Sequence, residues 1–276
     1  MILTLRQVTL AAAVALSVSI PSALSAAAAA TPKALPAWAS APNATQRQVQ
    51  HVGTWRFHVL KRLRTKATAD ADEVQQVGGA VVEDETWIEL ADAAPGLTAL
   101  RDRIMRMRRD GEALAYAYDR SFEDASSGAS IEIAQEVVAA SPDLVAIRLV
   151  AIRYGGGAHG EWHSLNLNWS TRRGRALDAG DLVADMHDPA LVRVLNTAFS
   201  GAEDGCPEHP LGFDLSRATI SAVGLRFEYD SYELGSYTCG GHSVLTWAAL
   251  RPFLRADLPL DPRALIDAVQ LRWRPE

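Results

Sequence analysis

His159-Gly-Glu-Trp-His163 holds the densest chemistry in this chain. On an extended backbone His159, Glu161 and His163 project to one side, and histidine, glutamate, histidine is a ligand set that zinc accepts. Such a set would serve metal-assisted hydrolysis, here by an envelope hydrolase using zinc through His159 and His163. The surrounding pattern favours a plainer role. Zinc hydrolases carry paired histidines at i and i+4 on a helix, whereas Gly160 and the alternation after it indicate a strand. On that strand His163 shares the parity of Leu165, Leu167 and Trp169 and reads as a buried-face histidine with a hydrogen-bonded ring. Polysaccharide deacetylases also use His-x-x-x-His, but with Ser or Thr after the first histidine and an Asp-Asp elsewhere; here Gly160 follows, and Asp-Asp does not occur. No metal and no cofactor is assigned.

Other catalytic patterns are weaker. Gly155-x-Gly157-x-x-Gly160 has dinucleotide spacing, yet no helix N-terminus follows it to seat a pyrophosphate. A Gly-x-Ser-x-Gly elbow is absent, and Ser243 and His242, as strand neighbours, point to opposite faces. Glu161 and Glu233 form an acid and base pair only in the sense that any two exposed glutamates do. Recognition is better supported. Trp162, Tyr229, Tyr232, Tyr237 and His242 fall at or near two glycine-rich stretches, and aromatic residues on loops held by a sheet make binding surfaces. Tyr229 and Trp162 would serve equally well to cover core edges. The candidate ligand-binding residues are His159, Glu161, Trp162, Tyr232, Glu233, Tyr237 and His242, with no catalytic set assigned. The balance favours a binding module over an enzyme.

These residues need strands to hold them. Leu144–Tyr154 is apolar on both parities apart from Arg148 and Arg153, as a central strand covered on both faces would be. Trp162–Trp169 alternates, with Ser164, Asn166 and Asn168 opposite the apolar set. Val223, Leu225, Phe227 and Tyr229 form a core face opposite Arg226 and Glu228. Upstream, Trp55, Phe57 and Val59 mark a strand, Thr86, Ile88 and Leu90 another, and Ser130–Val138 a third. Leu97, Leu100, Ile104 and Met107 recur at helical spacing, with Gly111 as the stop and Leu114–Tyr118 as a following strand. Asp181-Leu-Val183 reads as an edge strand, and Asp188–Phe199 as a helix capped by Asp188 with Pro189 at its first position. Trp247–Leu254 and Asp261–Gln270 read as short helices. Together these give an α+β fold with a mainly antiparallel sheet, a few packed helices and one disulfide.

Arg6, an apolar segment from Val8 to Ile20, Pro21 and small residues have the form of a secretory signal peptide, residues 1–27, cut between Ser25 and Ala28. A flexible lead-in rich in Ala, Pro, Ser and Thr, 28–50, is expected next, then an N-terminal α+β region, 51–143, and a C-terminal domain, 144–276. The protein is expected in the periplasm or secreted, off the membrane once the signal is removed. Export makes Cys206 and Cys239 a disulfide pair, contributing about 3.5–4 kcal/mol by chain entropy. The formal charge of −6, one unit more negative without Arg6, disfavours nucleic acid and favours a basic protein partner.

Tyr154-Gly-Gly-Gly-Ala-His159, the Asn-rich Leu165–Asn168 and Leu177-Asp-Ala-Gly-Asp-Leu182, followed by Phe227–Gly241 and Val244–Leu254, resemble the RsiV-like C-terminal domain family. The resemblance implies an extracytoplasmic α+β domain, found in lysozyme-sensing anti-sigma factors and in some peptidoglycan deacetylases. It implies lysozyme, or else a peptidoglycan fragment, as the ligand. Only seven residues precede the apolar segment, so no sigma-binding segment is expected, and the deacetylase motifs are absent. The expectation is a free-standing exported domain that recognises a protein or cell-wall ligand through its two glycine-rich turns.

Overall fold

A computed structural model describes residues 45–67, 80–91, 95–116, 130–154, 160–200, 212–230, 233 and 241–268. His159, Tyr232, Tyr237, Cys206 and Cys239, and with them the expected disulfide and most of both glycine-rich turns, lie outside these residues. So does the expected signal peptide.

Strands β1 (Thr45–Val52) and β2 (Trp55–Ala67) form a tight antiparallel hairpin in which Gly53 takes φ 56°, the left-handed conformation such turns require. β3 (Ala80–Leu90) runs antiparallel to β2. Helix α1 (Thr98–Tyr116) then leads to β4 (Ser130–Ser141), which lies parallel to β3. β5 (Leu144–Tyr154), β6 (Glu161–Ser170) and β7 (Arg175–Ala176) continue the sheet antiparallel. After one-turn helix α2 (Ala179–Leu182) and helix α3 (Pro189–Ala198) comes a second sheet. Its order is β8 (Phe199–Ser200), β11 (Gly241–Thr246), β10 (Gly224–Tyr229), β9 (Ala218–Ile220), with the single-turn helix α4 (Trp247–Leu250) after β11. A last strand, β12 (Ile266–Asp267), returns to the main sheet and pairs with the far end of β4. The architecture is α+β and mainly antiparallel, with β3–β4 the parallel pair.

The double apolar parity of β5 has a direct cause. Val145, Ile147, Leu149 and Ala151 enter one core with Leu100, Ile104 and Met107 of α1. Leu144 and Ala146 enter a second core with Leu191 and Leu195 of α3 and Leu225 and Phe227 of β10. Burial of each large side chain is worth about 1.5–3 kcal/mol. A bulge at Val138 rotates the end of β4, so that Val137 and Ala140 join the first core and Ala139 the second.

Several sequence expectations need correcting. The end of the expected flexible lead-in is not flexible, since residues 45–50 form most of β1 and pair with β2. Gly111 does not end α1, which runs through Leu114 to Tyr116 in place of the expected strand. A Cβ at Gly111 would stand 2.6 Å from a methyl of Leu149, so the glycine serves close approach of helix to sheet. Asp181 and Leu182 belong to a helical turn, with only Val183 bridging to Leu254. The expected helix at Trp247–Leu254 is one turn, and Asp261–Gln270 gives a 3-10 turn, Pro262–Ala264, before β12. On β3 the parity opposite Ile88 is also buried. Glu85, fully enclosed, accepts hydrogen bonds from Arg62 Nε (2.6 Å), Trp87 Nε1 (3.0 Å) and Tyr116 Oη (2.9 Å). Burial first, and the charge of Glu85 next, push the Tyr116 hydroxyl pKa up.

Candidate ligand-binding site

The two sheets meet at β6. Its polar parity, which a sequence reading would give to solvent, faces the second sheet. Asn168 donates to Ala218 O (2.7 Å) and accepts from Ile220 N (2.8 Å), so one side chain stands in for a strand partner of β9. Asn166 donates to Ser216 O (3.2 Å) and accepts from Thr219 Oγ1. The run of alternating asparagines is a set of inter-sheet ties.

Beyond these ties the sheets diverge and leave a cavity of about 400 Å³, a size at the small end for ligand pockets. Arg148, Val150 and Ile152 of β5 form one wall, with Glu161 and Trp162 at the start of β6. Arg226 and Glu228 of β10 and His242 of β11 form the other. Register explains the convergence: Trp162 lies opposite Ile152, Glu161 opposite Arg153, and His242 opposite Glu228.

A chain of alternating charge runs under the cavity. Arg148 pairs with Glu136 at 2.9 Å and with Glu228 at 2.5 Å, and Arg226 reaches the same Glu228 oxygen at 2.9 Å. Glu228 is 4% exposed, which corrects its expected place on a polar outer face. Its other oxygen, Oε2, is buried and makes no hydrogen bond among the described residues. Arg153 pairs with Glu161 at the rim. Removing one partner from such a chain strands a buried charge, at about 3–5 kcal/mol.

Of the residues singled out from sequence, Glu161, Trp162 and His242 are brought together on this cavity. Glu233 is not. It accepts from Arg217 Nη1 (2.6 Å) and from the Asp230 amide (3.0 Å), closing the turn after β10. His163 has the expected bonded ring but is half-buried and not on a buried face: Nδ1 lies 3.1 Å from Asp230 Oδ2, while Asp230 Oδ1 accepts from Ser164 N (2.9 Å). An ionised carboxylate only accepts, so Nδ1 carries the proton. Tyr229 is buried edge-on to Phe199, with ring centroids 5.4 Å apart; burial, then the charge of Glu233, push its hydroxyl pKa up. Among the described residues no three His, Cys, Asp or Glu side chains cluster as a metal site, and no helix is long and apolar enough to cross a membrane.

Sequence reasoning missed Arg148, Arg226, Glu228 and Glu136 as parts of the site. The signal was present: two arginines on an otherwise apolar central strand demand buried counter-ions.

No protein-family model matches the chain, and no curated protein does. Among solved structures, a member of the DUF3298 family from Bacteroides fragilis aligns at TM-score 0.53 and 14% identity, over 75% of this chain and 96% of that one. The chain has a DUF3298-like fold. A DUF3298 family protein from Pseudomonas aeruginosa aligns over 80% of this chain and 98% of its own at 17% identity, with TM-score 0.45.

Proposed function

We propose that this chain is an exported protein of the cell envelope, periplasmic or secreted, that recognises a protein or cell-wall ligand at the cavity between its sheets. Lysozyme is the specific candidate, and the domain is RsiV-like. The observation that carries this reading is the convergence of Glu161, Trp162 and His242, from separate strands, on one cavity underlain by paired charge. The formal charge of −6 favours encounter with a basic partner. In the exported protein Cys206 and Cys239 pair, so the mature chain should resist thiol alkylation until reduced.

Calorimetric titration of the disulfide-intact mature protein with lysozyme tests the reading. Micromolar or tighter binding that weakens with salt, and that drops at least about tenfold in Trp162→Ala, is the expected result. Absence of binding by the folded protein sinks lysozyme as the ligand, and peptidoglycan fragments are titrated next in the same cell.

A zinc-dependent envelope hydrolase is the second reading, and one contact favours it. Asp230 holds His163 with Nδ1 protonated, which turns Nε2 toward a ligand role in the way carboxylates orient zinc-bound histidines. Stoichiometric zinc in an elemental scan, lost in His163→Ala, would move the assignment to this reading.

A further inference from the structure

We propose that the outer edge of β6 is a second binding site, which takes an extended acidic peptide as an added strand. The proposal is independent of the cavity and of lysozyme.

β5 pairs with β6 along almost its whole length, but on the other side β7 covers only Trp169 and Ser170. The outward backbone groups belong to the even residues: Ser164 N donates to Asp230 Oδ1, and Asn168 O accepts from Leu177 N. Since N–H and C=O of one residue point to the same side of an antiparallel strand, both backbone groups of Asn166 face this edge. Among the described residues neither is hydrogen-bonded. No proline or lysine blunts the strand between Trp162 and Ser170, devices with which exposed edges are commonly protected.

The edge forms the floor of a groove of about 420 Å³. One wall is α1, through Arg103, Arg106 and Asp110; the other is Ser216, Arg217 and Asp230. With Ser164 N held by Asp230 and Asn168 O by Leu177, the floor offers strand pairing through the N–H and C=O of Asn166, and the slot between helix and second sheet has room for side chains that alternate toward each. This is the geometry of peptide recognition by strand addition.

Charge selects the peptide. Arg217 is held by Glu233, and Asp230 by His163 and Ser164. Arg103 and Arg106 are exposed, stand one helical turn apart, and have no ion-pair partner among the described residues. With Asp110 as the remaining anion, the unspent charge is positive and calls for acidic side chains on the incoming strand.

The test uses fluorescein-labelled hexapeptides alternating Glu with Val, Ile, Thr or Tyr, titrated against the mature chain by anisotropy. At least one should bind saturably, with the Lys-for-Glu counterpart at least about tenfold weaker. N-methylation of backbone amides gives the decisive readout. An added strand pairs along one edge only, so methylating amides of one parity should weaken binding at least about tenfold while the other parity is tolerated. Arg103→Glu with Arg106→Glu, both exposed changes, should reverse the charge preference. Hydrogen exchange at the Asn166 amide should be fast in the free protein and slow in the complex. Equal binding of both methylated forms would overturn the proposal by showing that the edge is not used. A slowly exchanging Asn166 amide without peptide, or no binding by any member of the set, would overturn it too.

Discussion

Asp181 shows how one side chain can organise a loop. Its carboxylate takes Arg175 through two hydrogen bonds of 2.7 Å, pairs with Arg173, and accepts from the Asp178 amide (2.9 Å), while Asp178 caps the Asp181 amide in return. Burial alone would raise the Asp181 pKa, but Arg175, the Asp178 amide and Arg173 together hold it below the usual carboxylate range. A carboxyl depressed by folding stabilises the protein above its unfolded pKa of about 4, and that stabilisation is lost as pH falls through the lower folded value. Asp181→Asn should therefore cost about 1–2 kcal/mol near neutral pH, discounted for the half-exposed arginines. Urea melts between pH 2 and 7 should show a steeper acid decline in the wild type, with the two proteins converging at the acid end. A decline of equal steepness in both would remove Asp181 from the account. The Leu177–Leu182 motif entered through the family resemblance, yet Asp181–Val183 read as an edge strand and nothing in the sequence singled out Arg173 or Arg175 as its partners.

At the scale of elements, contacts between neighbours decided what local pattern could not. Gly111 looked like a helix stop because glycine is a poor helix former, yet the packing of α1 over Leu149 requires it. Gly111→Ala should destabilise by about 1 kcal/mol, overpacking outweighing the gain in helix propensity, and Leu149→Val should relieve it in the double variant; chemical melts of the four proteins check the coupling. Gly224 is stricter: its φ is 152°, and a Cβ there would lie 2.0 Å from the carbonyl oxygen of Leu245. Gly224→Ala should cost more than about 3 kcal/mol, visible as loss of folded protein or a large fall in midpoint. Asn168→Ala would leave Ala218 O and Ile220 N without their partner, at about 2–4 kcal/mol, whereas a loss under about 0.5 kcal/mol would mean that Asn168 does not tie the sheets. The strands themselves were readable, β6 by its period-two alternation and β5 by a run that is apolar on both parities. Which polar face meets solvent and which meets another sheet was not, since alternation is the same in both cases.

In the whole molecule β5 belongs to two cores at once, Ile147 to one and Leu144 to the other. Unfolding one core strips a face from the strand that supports the other. Far-UV dichroism and tryptophan fluorescence should accordingly report a single coincident transition, and Leu144→Ala and Ile147→Ala should each lower that one midpoint, by about 2–5 kcal/mol. Two separated transitions would show independent units meeting at β5. That β5 is covered on both faces was readable from its double apolar parity; which elements cover each face was not. The α+β class followed from element types, whereas the parallel β3–β4 pair, the return of β12 and the divergence that opens the cavity all depend on partners remote in sequence.

β12 also sets an order of events. Its pairing with Ala139 and Ala140, the bond from Ala268 N to Val138 O (2.8 Å), and that from Ala222 N to Asp267 Oδ1 (2.7 Å) fasten the bulged end of β4 and the second sheet with residues that come later in the chain than either. A chain threaded outward from its amino end would emerge with the main sheet nearly complete and this seam open. Until residues 266–268 arrive, the nascent protein presents an unsealed strand end to whatever chaperone, protease or sister chain it meets first.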